Sequence, residues 1–508
     1  METSILSRFI DHATRHCERS AAVVGGRAYT YGDLSRLSAA IAAVLERQGV
    51  QRGDRVGVFA ESTIHTYASI LAIMSRGAAY VPLRTDNPVA RNREIVCDAG
   101  IRVVLYSDAD DDALALAAAP DTNCQAVQTR DIAPIAGLLT AVSQRPSDLC
   151  YLLFTSGSTG RPKGVPIHHK SLSAFVATIL ESGRYEFTPR DRFLQMFDLT
   201  FDPSIFAFLV PLSVGASFYP LPRKGITYLE VADVLETQAI SVAMMVPSVI
   251  AYLKPYISEL SLPHLRYSLF CGEALPHDTL SAWAACVPSA KIENLYGPTE
   301  ATIVCLRYEW KHGEPAHPQG KGIVPIGTPM EGVQAFLRTE DGADDIGELC
   351  LLGDQVTSSY WNDPSKTAEA FGTNEAGQQF YRTGDLCRRD RAGNVLYLGR
   401  IDNQVKIDGH RIELEDIEFH ARAFDSGDRQ VAAVVNAGEV GRHVIVLFVE
   451  GDDVDTRGLA EHLRTRLPGY MIPREIVPVS QFSLNSNGKI DRKALVSRHA
   501  VGGAAASV

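Results

Sequence analysis

The stretch Tyr151–Val165 reads YLLFTSGSTGRPKGV, a β-rich run that ends in a loop of Ser, Thr and Gly. Gly157 and Gly160 lack a Cβ, so backbone N–H groups in such a loop can close around an anion. Hydroxyl groups and one ammonium add further donors, supplied by Thr155, Ser156, Ser158, Thr159 and Lys163. The composition predicts a phosphate-binding loop, with a nucleoside triphosphate as its ligand.

The loop does not have Walker A spacing, because its lysine follows Pro162 and precedes Gly164. An isolated loop of this composition could also be a solvated linker. Four further segments argue against a linker: NLYGPTEATI from Asn294, YRTGDL from Tyr381, GRIDNQVKIDGHRIE from Gly399 and NSNGKIDRKAL from Asn485.

Together these segments resemble the adenylate-forming superfamily of acyl- and aryl-CoA synthetases, luciferases and peptide-synthetase adenylation domains. The chain is most similar to the amino-acid-activating adenylation domains of nonribosomal peptide synthesis. The resemblance extends from TYGDLS at Thr30 and GAAYVPL at Gly77 to Lys493. It implies ATP and Mg²⁺ as the nucleotide and metal.

Composition indicates a large soluble protein. The 508 residues are 45% hydrophobic and 21% charged, enough for at least two domains, and the net charge of -11 argues against a general nucleic-acid or membrane binder. The N-terminus METSILSRFIDHATRH has no signal-peptide pattern, and the apolar run 205–214 is too short to span a bilayer. We therefore expect a cytoplasmic location.

The nine cysteines are scattered and form no CxxC motif, and the histidines form no HExxH motif. The sequence therefore predicts neither disulfides nor a structural metal.

Helical and β-rich stretches alternate along most of the chain, which predicts an α/β fold with a largely parallel sheet. The last hundred residues carry strands and a helix of their own, which predicts a small mobile α+β domain, as in the adenylate-forming enzyme fold. The expected boundaries are 1–399 for the large N-terminal domain, 400–403 for a hinge, 404–496 for the small C-terminal domain and 497–508 for a disordered tail.

Activation of a carboxylate by ATP brings two anions together, so donors and cations must stabilise the phosphoryl group and the leaving group. The resemblance implies that the loop 155–163 holds the β- and γ-phosphates. It assigns Glu300 to Mg²⁺ and Thr299 to the α-phosphate. Lys489 matches the family's catalytic lysine, and the turn at Asn487–Gly488 would project its side chain.

The remaining nucleotide contacts are also implied by the resemblance. Asp385 is assigned to the ribose hydroxyls, since one carboxylate can accept two hydrogen bonds. Further nucleotide-binding positions are Asn294 and Tyr296 at the adenine, Gly297 beside them, and Tyr397 and Lys406 near the ribose. Arg400 would reach either a phosphate or an interdomain carboxylate. Asp402 matches the family's hinge, about which rotation would exchange Lys489 for the segment 405–411 between two half-reactions.

The segment FDPSIF, residues 201–206, matches the part of amino-acid activators that recognises the α-ammonium. A buried ammonium needs an anionic partner, and Asp202 supplies one. The rest of the pocket matched by resemblance is apolar: Pro203, Phe206, Met244, Leu269, Cys271, Leu295, Ile303 and Val304. This lining favours a small apolar amino acid such as alanine or proline. Asp198 lies four residues earlier, so a β-amino acid remains an alternative.

No condensation domain is recognised before the matched region and no carrier domain after it, so we expect a stand-alone ligase. The acceptor is then the phosphopantetheine thiol of a separate carrier protein. Two other classes are weighed. An acid–CoA ligase would not need Asp202. A non-catalytic nucleotide sensor should have lost the catalytic lysine, whereas Lys489, Glu300 and Asp385 are all retained.

Overall fold

A computed structural model describes residues 4–157, 160–222, 225–339, 345–424, 429–437, 443–451, 453–483 and 490–503. Its helices are α1 (Ile5–Arg15), α2 (Tyr31–Arg47), α3 (Ile64–Ser75), α4 (Val89–Ala99), α5 (Asp110–Ala118), α6 (His169–Leu180), α7 (Pro203–Val214), α8 (Thr227–Thr237), α9 (Pro247–Leu253), α10 (His277–Ala284), α11 (Pro364–Ala370), α12 (Leu414–Arg422), α13 (Thr456–Arg464) and α14 (Arg492–Gly503). Short 3₁₀ turns cover Lys254–Glu259, Thr299–Ala301 and Gly469–Met471.

The strands are β1 (Ser20–Val24), β2 (Arg27–Thr30), β3 (Arg55–Phe59), β4 (Ala79–Leu83), β5 (Val103–Tyr106), β6 (Gln125–Gln128), β7 (Leu149–Thr155), β8 (Lys163–His168), β9 (Arg192–Gln195), β10 (Ser217–Pro220), β11 (Val242–Met245), β12 (Tyr267–Phe270), β13 (Lys291–Tyr296), β14 (Leu306–Trp310), β15 (Thr328–Pro329), β16 (Val333–Arg338), β17 (Ile346–Gly353), β18 (Phe371–Thr373), β19 (Gln379–Arg389), β20 (Val395–Arg400), β21 (Gln404–Ile407), β22 (His410–Glu413), β23 (Val431–Ala437), β24 (His443–Glu450) and β25 (Glu475–Val479).

The chain divides into two compact units. The first contains Met1–Thr85, Ile95–Phe154 and Gly164–Ile401, and the second contains Asp86–Glu94, Thr155–Lys163 and Asp402–Val508. The second unit thus combines the C-terminal part of the chain with two short earlier segments, one of which is the loop predicted to bind phosphate. The last boundary falls after Ile401, inside the segment 400–403 where the sequence predicts a hinge.

Three sheets form the first unit. The largest has the order β15-β14-β13-β12-β11-β9-β10-β1-β2, the next β6-β5-β3-β4-β7-β8, and a third is built on β16-β17-β19-β18 with β20 beside β19. Neighbours from β9 to β13 pair in parallel, whereas β14 and β2 pair antiparallel with their neighbours. Helices alternate with the strands of both larger sheets, so the predicted α/β class is confirmed.

Local sequence explains several elements. Helix α2 begins at a capping box in which Thr30 accepts from the N–H of Asp33 and the Asp33 carboxylate accepts from the N–H of Thr30. Helix α7, which is buried along almost its whole length, ends at Gly215 with a φ of 76°, a conformation that favours glycine. Among the described residues, no helix is both long and apolar enough to cross a membrane.

The second unit contains the hairpin β21-β22, the three-stranded sheet β23-β24-β25 and the helices α12 to α14. Its core is formed by apolar side chains of α12, α13, β23 and β24, among them Ile417, Leu463 and Leu447. Helix α14 continues to Gly503, which lies within the segment 497–508 where the sequence predicts a disordered tail.

The nine cysteines contribute mainly to the cores. Seven are buried: Cys124, Cys150, Cys271, Cys286, Cys305, Cys350 and Cys387. Burial raises the pKa of the Cys150 and Cys305 thiols, and it raises the pKa of Cys350 to about 12. Cys17 is partly exposed and Cys97 is exposed. The buried cysteines thus behave as small apolar side chains.

Candidate active site

In the first unit, Asp202 lies immediately before α7 and is buried. Its Oδ2 accepts a hydrogen bond at 3.2 Å from the backbone N–H of Ile303, which is 101 positions away in the sequence. A carboxylate at the N-terminal end of a helix is also stabilised by the helix dipole. Burial raises the phenol pKa of Tyr80 and Tyr151, and the charge of Asp202 acts in the same direction. The carboxylate therefore lies near buried tyrosines.

The N–H that reaches Asp202 comes from an unusual turn. Thr302 and Ile303, which follow the 3₁₀ turn Thr299–Ala301, have φ values of 55° and 75°. Positive φ is rare for β-branched residues, and such strain is often stored at functional sites. Gly297 packs against the same turn, since a Cβ there would lie 2.5 Å from the carbonyl oxygen of Ile303. The sequence motif identified Gly297 but not this backbone geometry.

Asp198 has different surroundings. Its Oδ2 lies 3.9 Å from Nη1 of Arg84, and its Oδ1 accepts hydrogen bonds from the N–H and the hydroxyl of Thr200 at 2.9 and 2.7 Å. The side chains of Arg84 and Asp198 are only 13% and 15% exposed. Asp198 is therefore part of an ion pair within the first unit.

The predicted apolar lining is carried by neighbouring elements and is buried except for Pro203, which is partly exposed. Met244 on β11 and Leu269 on β12 are direct partners in the parallel register, and on β13 the partner of Leu269 is Glu293, two positions before Leu295. Helix α7 packs on β9 and β11, and the ring of Phe206 lies 5.9 Å from that of Phe193. The other lining positions are Pro203 at the first turn of α7, Cys271 after β12, and Ile303 and Val304 in the strained turn.

Four of the predicted nucleotide residues lie together in the first unit. The hydroxyl of Tyr296 donates to Oδ2 of Asp385, and Nη1 of Arg400 donates to Oδ1 of the same carboxylate at 2.9 Å. Tyr397 packs in the same apolar cluster as the ring of Tyr296. Both oxygens of Asp385 are thus held in fixed positions by the protein.

Asn294 points into the first unit from β13. Its Nδ2 donates to the carbonyl oxygens of Val324 and Pro325, at 3.3 and 2.9 Å. These bonds connect the strand to the segment between β14 and β15. The Nδ2 group is thereby engaged with the backbone, a function that the motif alone does not predict.

Glu300 is fully buried within the 3₁₀ turn Thr299–Ala301. Its Oε1 accepts a hydrogen bond at 2.6 Å from the hydroxyl of Tyr360, which lies outside the recognised motifs. Among the described residues, no cluster of three or more His, Cys, Asp and Glu side chains could hold a metal ion. A carboxylate oxygen suits Mg²⁺, which commonly takes one or two protein ligands together with substrate phosphates. Glu300 fits that pattern.

In the second unit, the predicted phosphate loop contacts the segment that includes β22. The hydroxyl of Ser156 donates to the carbonyl oxygen of Arg411 at 2.9 Å and accepts from the N–H of Glu413 at 3.2 Å. The Nζ of Lys163 lies 3.5 Å from Oε1 of Glu413, and both side chains are at most 10% exposed. The loop lysine therefore has an anionic partner in this structure.

Two further features describe this loop. Gly160 has a φ of 77°, and a Cβ there would lie 2.1 Å from the ring of Phe419, so that only glycine fits. The hydroxyl of Thr155 is buried and has no hydrogen-bond partner among the described residues. A buried hydroxyl without a partner is costly, and a phosphate oxygen would satisfy it.

Two other predicted residues, Asp402 and Lys406, lie near the beginning of the C-terminal segment of the second unit. Asp402 accepts a hydrogen bond at 3.1 Å from the N–H of Gln404, and Lys406 lies on β21. Three predicted residues, Ser158, Thr159 and Lys489, fall outside the described residues.

The chain is similar to known proteins in both sequence and structure. The family described as AMP-binding enzyme matches residues 9–361. Tyrocidine synthase 1 of Brevibacillus parabrevis is 30% identical over 97% of the chain and 45% of its own length. Zwittermicin A synthase ZmaJ of Bacillus cereus is 31% identical over 97% of the chain and 95% of its own length.

Among solved structures, the Vibrio cholerae adenylation domain AlmE, in complex with glycyl-adenosine-5'-phosphate, is 25% identical with a TM-score of 0.85. The alignment covers 99% of this chain and 98% of AlmE. The chain spans less than half the length of the first three curated relatives that it matches.

Proposed function

The chain belongs to the AMP-binding enzyme family, as an adenylation domain of the nonribosomal peptide synthetase type, and from this membership we propose that it is an AMP-forming ligase for a small apolar amino acid. One substrate carboxylate oxygen attacks the α-phosphorus of ATP, the bond to pyrophosphate breaks, and an aminoacyl-adenylate forms. The thiol of a carrier-protein phosphopantetheine then attacks the acyl carbon, and AMP leaves.

The observation that carries the amino-acid proposal is the position of Asp202. A buried carboxylate at the start of α7, fixed by the N–H of Ile303, can pair with a substrate ammonium that would otherwise be buried without a counter-ion. The neighbouring lining residues Met244, Leu269 and Leu295 are apolar and almost fully buried. These three side chains themselves offer no charged partner to a substrate side chain, which supports a small apolar side chain.

On the nucleotide side, the proposal assigns the ribose hydroxyls to Asp385, whose carboxylate is oriented by Tyr296 and Arg400. The loop 155–163 is proposed to hold the phosphates through backbone N–H groups, the hydroxyl of Thr155 and the cation of Lys163. Glu300 would hold Mg²⁺, which would neutralise phosphate charge as pyrophosphate leaves. Thr299 is proposed to approach the α-phosphate.

Lys489 is proposed to place its ammonium between the substrate carboxylate and the nucleotide, where it stabilises the charge of the transition state. Asp402, at the boundary between the two units, is proposed as the hinge for the second half-reaction. A separate carrier protein is proposed as the acceptor of the second half-reaction.

Amino-acid-dependent exchange of pyrophosphate into ATP tests the proposal. Alanine, proline, β-alanine, 3-aminobutyrate and benzoate are compared side by side, and transfer is then measured to CoA and to a holo-carrier protein. We expect exchange with alanine or proline and transfer to the carrier. Exchange with benzoate alone, or transfer to CoA alone, would instead indicate an acid–CoA ligase. The absence of exchange with every acid would contradict the enzymatic function.

A further inference from the structure

Beside the residue proposed to bind the substrate ammonium lies a second carboxylate that already has a cation. We propose that Arg84 is a specificity-determining residue: by pairing with Asp198, it prevents that carboxylate from receiving the ammonium of a β-amino acid. This inference rests on the proposed function and narrows the substrate class to α-amino acids.

The two carboxylates lie four residues apart, one at the start of a short turn and one directly after it. The N–H of Phe201 donates to the carbonyl oxygen of Asp198 at 3.0 Å, and the N–H of Ile205 donates to that of Asp202 at 2.9 Å. The first bond closes the turn before α7, and the second belongs to the start of the helix. Asp198 and Asp202 are thus presented by the same piece of backbone, and either could in principle serve as the anion for an amino group.

Their partners differ. Asp202 accepts from a neutral peptide N–H, that of Ile303. Asp198 faces the guanidinium of Arg84 with one oxygen and accepts two hydrogen bonds from Thr200 with the other. Arg84 directly follows β4, an element distant in sequence, so the ion pair depends on the folded first unit.

Charge gives this pair its effect on selectivity. A guanidinium remains protonated at any physiological pH, and at 13% exposure it is poorly screened by solvent. The ammonium of a β-amino acid is one carbon farther from the reacting carboxylate than that of an α-amino acid. If it approached Asp198, it would compete with Arg84 and meet a like charge. Selectivity of this kind comes from a repulsive element as well as an attractive one.

The test measures the ratio of kcat/KM for β-alanine to that for L-alanine in pyrophosphate exchange. We expect Arg84→Gln to raise this ratio about ten-fold or more, because Asp198 then becomes available to the β-ammonium. The double variant Arg84→Gln with Asp198→Asn should lose the gain, whereas Arg84→Lys, which keeps the charge, should stay near wild type. Arg84→Met gives a second neutral side chain of similar length in case the glutamine variant does not fold.

The matched control is Arg266→Gln, which breaks the ion pair with Asp191, formed at 2.7 Å elsewhere in the first unit. A purely structural effect of losing a partly buried ion pair would lower activity with both substrates and leave the ratio unchanged. An unchanged ratio in a folded Arg84→Gln or Arg84→Met variant would overturn the inference. A wild-type enzyme that prefers β-alanine would also overturn it while leaving amino-acid activation intact, and exchange with no amino acid would reject both proposals.

Discussion

Tyr360 donates its hydroxyl proton to Oε1 of Glu300 across 2.6 Å, and both residues are buried. If Glu300 binds Mg²⁺, the phenol orients its carboxylate, and outer partners of this kind typically change metal affinity about 10- to 100-fold. We expect Tyr360→Phe to raise the Mg²⁺ concentration for half-maximal pyrophosphate exchange about ten-fold. Tyr308→Phe, which removes the hydroxyl bonded to Glu314, should leave it unchanged. If the wild-type protein and the Tyr360→Phe and Tyr308→Phe variants all need the same Mg²⁺ concentration, Tyr360 does not contribute to metal binding.

Substitution of the two carboxylates before α7 should have unequal effects. Asp202→Asn can still accept from the N–H of Ile303 but loses its charge, so kcat/KM for the amino acid should fall about thirty-fold or more, corresponding to roughly 2 to 5 kcal/mol for an unpaired ammonium. Asp198→Asn should change kcat/KM for L-alanine much less. Steady-state exchange kinetics give both values, and the reverse order would favour a β-amino acid substrate.

The proposed catalytic role of Lys489 predicts that substitution will affect chemistry and nucleotide binding differently. Lys489→Ala should abolish amino-acid-dependent pyrophosphate exchange and leave ATP affinity within a few-fold, because the ammonium acts mainly in the transition state. Equilibrium binding of ATP and the exchange rate are measured on the same preparation. Full retention of exchange would remove Lys489 from the mechanism.

The contact between Lys163 and Glu413 predicts competition with the nucleotide. If Lys163 binds phosphate, its partner carboxylate must be displaced, so Glu413→Gln should lower the apparent Kd for ATP about three-fold. Lys163→Gln should raise it. Both apparent Kd values come from titration with ATP in the absence of amino acid. A weaker ATP affinity of Glu413→Gln would show that this carboxylate supports the loop instead of competing with the nucleotide for Lys163.

His169 predicts a pH dependence of stability. Burial lowers its pKa from the usual 6.5 to about 4, so the folded state holds it neutral while the unfolded chain takes up a proton as the pH falls below 6.5. The free energy of unfolding should therefore fall by about 2 kcal/mol between about pH 7.5 and about pH 5 from this group alone. His169→Gln should reduce this loss of unfolding free energy at low pH. His16→Gln, a substitution at an exposed position, should not reduce it. Denaturant titrations at both pH values supply the comparison.

Local sequence patterns predict helices and strands better than they predict contacts between residues distant in sequence. Helix α2 and strands β3, β4, β23 and β24 follow from periodicity, because each is decided by residues adjacent in sequence. Asp202 was selected by its motif, but its bond to Ile303 spans 101 positions and depends on a positive φ that no propensity for isoleucine suggests. The sequence does not predict the pairing of Arg84 with Asp198 either, because these two residues are also distant in sequence. Long-range partners are fixed by the packing of whole elements.

The burial of the thiols has a practical consequence for biophysical work. A maleimide reacts with accessible thiolates, so its first target should be Cys97, with Cys17 slower and the seven core cysteines protected until the protein unfolds. Substoichiometric labelling would then place a fluorophore on α4 of the natural sequence without prior cysteine removal. The number of dyes incorporated would also give a direct count of how much of the core opens during denaturation.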